Sequence, residues 1–102
     1  MSIAWPKETA RLLAELTGEA HPDIAMLIVL KDAVEHRLEQ ITANDQVFKA
    51  KYGMPFEEYK RHWEKEDDPK DYSFESENDY LQWEALATRK ARLEDMRAWL
   101  AA

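Results

Sequence analysis

Apolar residues recur at helical spacing along almost the whole chain. In "WPKETARLLAELTGE", Leu12, Leu13 and Leu16 form a stripe, Pro6 suits a first helical position and Gly18 a stop just past the end. A short first helix is predicted, followed by a break at "EAHP". From Pro22 to about Tyr52 the pattern continues with no proline or glycine inside it. Leu27, Val34, Ile41 and Phe48 repeat every seven residues, and Ile24, Leu38 and Tyr52 fill three of the five intervening seam positions. Lys31 and Asp45 occupy the other two. This is close to a heptad seam with two charged interruptions, although Thr42, Asn44 and Asp45 leave room for a bend. A helix of about 30 residues spans roughly 45 Å, longer than a compact domain of this size. It is therefore expected to hairpin against another helix or to pair with a second chain. A homodimer seam on Leu27, Val34, Leu38, Ile41 and Phe48 is the reading adopted.

Gly53 is a second stop, and "MPFEEYKRHWEKE" restarts a helix with Phe56, Tyr59 and Trp63 on one face. "EDDPKDYSFES" reads as a loop, in which the alternation around Tyr72 and Phe74 allows a short extended run over residues 72–75. A last helix is expected from Glu77 to the C-terminus, with Ser76 as its N-cap and Asp79 three residues on. Leu86, Leu93 and Leu100 repeat every seven residues along it, and Tyr80, Trp83 and Ala87 mark an adjoining face. The expected fold is all-α, one domain over residues 1–102 with about four helices. Two long helices form an antiparallel hairpin or a dimer seam. Residues 1–53 make a helical, oligomerising half, and residues 54–102 an acidic aromatic loop with the C-terminal helix.

Composition supports that class. Two glycines and four prolines in 102 residues argue against a turn-rich β protein, and the 45% apolar content against wholesale disorder. A chain this long buries roughly 60–65% of its unfolded surface, enough for one modest core. It has no cysteine, which removes disulfides, thiolate metal sites and a cysteine nucleophile, and fits a reducing cytoplasm. The N-terminus lacks a basic region followed by an apolar run, so no signal peptide is expected. The longest apolar run, residues 24–30, is far too short to cross a bilayer.

Charge changes the picture more. Residues 57–84 hold eleven acids against four bases, and the rest of the chain ten of each, so this one segment carries the whole net charge of −7. It also holds six of the eleven aromatics. Nucleic acid and anionic membrane, both polyanions, are disfavoured as partners, and a basic protein surface is favoured. Arg89, Lys90, Arg92 and Arg97 on the last helix are interleaved with Glu94 and Asp95, which marks a solvated face rather than a DNA-reading helix.

Catalytic chemistry is thin. The histidines are His21, His36 and His62; His62 could share a metal with Glu66. The Glu-x-x-His pairs of a dimetal bundle are missing, because Tyr59 and Ala33 stand three residues before His62 and His36. Adjacent acids such as Glu57/Glu58 and Asp67/Asp68 fall where solvated helix starts and loops are common, whereas catalytic carboxylates need burial. "DDPKDY" lacks the spacing of an EF-hand loop, and with only Gly18 and Gly53 there is no phosphate-cradling glycine loop. No metal, no cofactor and no enzyme activity are expected.

Phe56, Tyr59 and Trp63 at helical spacing fit a core better than a binding site. Tyr72 and Phe74, in the acidic loop, stand between an interface and local packing, since aromatics anchor binding hot spots. The stretches "YGMPFEEYKRHWE" and "ENDYLQWEALATRKARLE", over residues 52–94, resemble short acidic bacterial antitoxin-like proteins encoded beside a small toxin, often of the TumE family. The resemblance rests on Tyr52, Gly53, Met54, Phe56, Glu57, Glu58, Glu77, Asp79, Tyr80, Trp83, Glu84 and Ala85. It implies a non-enzymatic protein that binds and neutralises a basic partner. The expected partner-binding set is Phe56, Tyr59, Trp63, Asp67, Asp68, Asp71, Tyr72, Phe74, Tyr80 and Trp83. A structural helical homo-oligomer is the main alternative, and a metal-dependent bundle enzyme a distant third.

Overall fold

The computed structural model describes residues 4–65 and 74–101. They form four α-helices: α1 (Lys7–Thr17), α2 (Pro22–Tyr52), α3 (Phe56–Lys65) and α4 (Phe74–Ala101). The ends of the first two follow from local chemistry. Pro6 sits just before α1 and its carbonyl accepts from the Ala10 amide, so it caps the helix rather than opening it. Pro22 opens α2, where its missing N–H costs nothing. Gly18 and Gly53 close α1 and α2 in the left-handed region, at φ 75° and 69°, and their amides donate to the carbonyls of Ala14 and Lys49. A side chain at either position would be strained there, which is why glycine marks both stops.

Through Thr42, Asn44 and Asp45 the long helix continues without a break. Its 31 residues span roughly 46 Å. Tyr52 bonds Asp79, Asp45 bonds Trp83, and Glu35 lies 3.7 Å from Arg97. Positions fall along α2 as they rise along α4, so the two long helices run antiparallel. The result is a rod of 59 × 22 × 20 Å.

Two apolar clusters hold the hairpin. In the first, Val34, Leu38 and Ile41 of α2 bury against Leu93 of α4, with Leu86 and Leu100 half-buried beside them. The seven-residue period of α2 thus meets the seven-residue period of α4 within one chain. Val34, Leu38 and Ile41 of the expected seam are covered by α4 of the same chain. Phe48 turns into the second, aromatic cluster, and Leu27 stays 45% exposed beyond the covered stretch. α1 packs on the first turns of α2, burying Leu13 and Ala25, and the Trp5 indole donates to Asp23 at 2.8 Å.

The start of α4 differs from expectation. The helix begins at Phe74, so Phe74 and Glu75 are helical rather than extended; Tyr72 and Ser73 lie outside the described residues. Ser76 is not the N-cap but sits inside the first turn, its hydroxyl 3.1 Å from that of Tyr59.

Candidate functional site

The turn at Gly53 returns the chain as α3 against α4, and the rings of three helices meet at Trp83. That indole is completely buried. Phe48 and Tyr52 of α2 stack against it with centroids 5.5 and 5.9 Å away, and Phe56 and Tyr59 of α3 meet it tilted, at 5.3 and 5.2 Å. Its Nε1 donates to Asp45 at 2.7 Å, and Asp45 in turn pairs with Lys49. The charge at Asp45 that interrupted the heptad pattern is therefore the acceptor a buried tryptophan requires.

Around this cluster lies a polar clamp. Asp79, buried, accepts from the Tyr52 hydroxyl at 2.5 Å and from Lys51 Nζ at 2.6 Å, and Lys51 also reaches Glu75 at 2.6 Å. Burial by itself pushes the Asp79 carboxyl up, but the bonds from Lys51 and Tyr52 outweigh it and hold the group below the usual carboxylate value. Lys51 is raised by its bonds to Asp79 and then Glu75. Burial, followed by the bond to Asp79, raises Tyr52 far above an ordinary phenol, so it stays a neutral donor.

A group depressed on folding stabilises above its unfolded pKa, and that stability is lost as pH falls through the folded value. A raised lysine stabilises below its unfolded pKa and loses the effect as pH climbs through its folded one. The clamp is therefore complete between the two ranges. We expect Asp79→Asn to cost about 1.5–3 kcal/mol at neutral pH, as for a hydrogen bond to a charged group. The difference from wild type should shrink below about pH 4. Urea titrations at pH 7 and pH 3 measure this; an equal difference at both would show that the ionised carboxylate carries none of it, and no difference at pH 7 would assign the clamp no weight.

The clamp was not anticipated from sequence. Its signal was an acid, Asp79, four residues before Trp83 on an apolar face, where a charge demands a partner.

The residues proposed for partner binding separate into three groups. Phe56, Tyr59 and Trp83 belong to the core, each at least nine-tenths buried among other rings. Trp63 and Tyr80 are half-buried and stack on each other at 4.9 Å, and the Tyr80 hydroxyl donates to Glu84. Phe74 is 86% exposed. Asp67, Asp68, Asp71 and Tyr72 lie outside the described residues. Part of the acid excess has a local cause: Glu57 and Glu58 occupy the first turn of α3, and Glu75 and Glu77 that of α4, where they complement the helix dipoles. Among the described residues of the expected set, the one exposed ring is Phe74, flanked by the exposed carboxylates of Glu75 and Glu77.

Among the described residues no three His, Cys, Asp or Glu side chains converge as a metal ion requires, and no helix is long and apolar enough to cross a membrane. Compared with known proteins, the chain matches no family model, no curated protein and no solved structure.

Proposed function

We propose that the chain is a non-enzymatic interaction module of the antitoxin kind, working in a reducing cytoplasm. It binds and neutralises a basic partner protein with the end of the rod that carries Phe74. The observation that carries this reading is Phe74 itself. It opens α4 with its ring in water, beside Glu75 and Glu77, in the segment that holds all the net negative charge. A phenyl that contributes nothing to the core gains free energy by entering an apolar pocket on another molecule, about 1.5–3 kcal/mol when fully buried. The carboxylates around it raise the encounter rate with a basic surface and oppose self-association at this end. Toxic ribonucleases present basic surfaces for RNA, and an acidic plug with an aromatic anchor occludes such a surface competitively.

The test is co-expression with the product of the neighbouring gene, followed by purification and binding kinetics. Phe74→Ala should weaken the complex by about 2 kcal/mol, roughly thirtyfold, chiefly through faster dissociation, and leave the melting temperature unchanged. Replacing Asp67, Asp68 and Asp71 by asparagine should instead slow association and flatten its salt dependence. Failure of the two proteins to co-purify, or equal affinity for both variants and wild type, sinks the reading. The second reading, a structural homo-oligomer, draws its support from the opposite end of the rod.

A further inference from the structure

The apolar stripe of α2 continues past the region that α4 covers. Ile24, Leu27 and Leu30 follow one another at three-residue spacing and stay 47%, 45% and 42% exposed. On α1, Leu12 and Leu16, one turn apart, are 60% and 75% exposed. This arm, residues 7–30, therefore carries five of the ten large apolar side chains exposed among the described residues, and buries only Leu13 and Ala25. An 11-residue helix with one buried side chain is marginal by itself in water.

The elongated shape leaves more surface exposed along the rod as a whole. Its radius of gyration is 19.7 Å, against about 13 Å for a compact chain of this length. Its accessible surface is 7765 Å², where a compact monomer of 12.0 kDa exposes about 6,000 Å². The excess, on the order of 1,800 Å², is about twice what one partner gives up in a standard interface.

Charge decides between occupants. The arm holds Lys7 and Arg11 against Glu8, Glu15, Glu19 and Asp23, a net −2, whereas residues 57–84 carry −7. Arg11 already pairs with Glu8 and Glu15 within α1. A surface so nearly balanced attracts neither a strongly basic nor a strongly acidic protein at long range, and it meets a copy of itself with little repulsion.

We propose that the arm is a homodimer interface, with α2 of a second copy crossing antiparallel over Ile24, Leu27 and Leu30. A two-fold contact is self-complementary. Setting Ile24 against Leu30 of the second copy places Leu27 against its own equivalent on the axis. The dimer keeps the two acidic ends far apart and leaves both copies of Phe74 open. It differs from a dimer on the heptad seam, whose central positions α4 has taken.

The chain has no cysteine, so a single introduced thiol reports this geometry alone. Sedimentation equilibrium of the wild-type chain at tens of micromolar should give twice the 12.0 kDa monomer mass. Leu27→Glu should give the monomer with its helical circular dichroism intact. Leu27→Cys should cross-link to a disulfide dimer on mild oxidation, at least tenfold faster than Leu81→Cys, which replaces a residue 57% exposed on α4. A monomeric wild-type chain overturns the proposal. So does a dimer that survives Leu27→Glu, or one that cross-links as fast through Leu81→Cys. If the wild-type chain is monomeric and Leu27→Glu abolishes capture of the basic partner, the arm belongs to that partner instead.

Discussion

Replacing Trp83 by alanine should lower stability by about 3–5 kcal/mol, a large part of the roughly 5–15 kcal/mol available to a small domain. The indole is fully buried, and four rings of the aromatic cluster lie within 6 Å of it. Phe48 and Tyr52 reach it from α2, Phe56 and Tyr59 from α3, and Asp45 accepts its N–H. The loss should be local before it is global. Helix α3 has ten residues and buries only Phe56 and Tyr59, both against Trp83, so without the indole it has too little to hold it. Amide exchange in residues 56–65 should accelerate first, while amides near Val34, Leu38 and Leu93, in the other cluster, stay protected. Trp83→Phe should be milder, because one six-membered ring remains to pack, although the smaller side chain leaves a void and Asp45 loses its N–H donor. A uniform loss of protection in Trp83→Ala would show that the two clusters unfold as one unit.

Ile41→Asp should be as damaging, by a different route. Ile41 is buried in a cluster of Val34, Leu38 and Leu93, all apolar side chains. An unpaired buried charge costs several kcal/mol, and the group avoids part of that cost by staying protonated. Its pKa is then raised on folding, so the variant should be least unstable at acid pH and lose stability as pH rises through the carboxyl's folded value. This is opposite in sign to the acid sensitivity of Asp79. Ile41→Val, which removes one methyl group, should cost only about 0.5–1.5 kcal/mol.

The same variant separates a hairpin from a dimer seam. Disruption within one chain lowers the melting temperature equally at every concentration, whereas disruption between chains does so in proportion to the association lost. We expect the first for Ile41→Asp. Leu27→Glu, on the exposed arm, should show the second.

Most of the fold was legible in the sequence because its signals are local. Gly18 and Gly53 stand where a left-handed residue is required, and both ended helices within a residue of the expected place. The apolar periods of α2 and α4 marked two long helices because a stripe is written by neighbours three and four positions apart. The start of α4 was misplaced for the converse reason: Ser76 satisfied a local capping rule, but Tyr59, 17 residues earlier, holds its hydroxyl.

The candidate site was only half legible. Excess acid and aromatic residues between Glu57 and Glu84 are a matter of counting. Which aromatics face water is not, since Phe56, Tyr59, Trp63, Phe74, Tyr80 and Trp83 are alike in type and regular in spacing. Tertiary structure sorted them into a buried set, a half-buried stacked pair and one exposed ring. It also set the middle turns of the α2 stripe against α4 of the same chain. A helical period says that a face will be covered; it carries no information about the cover. That depends on which faces meet across separations such as Asp45 to Trp83, 38 residues apart, and only the folded chain brings them together.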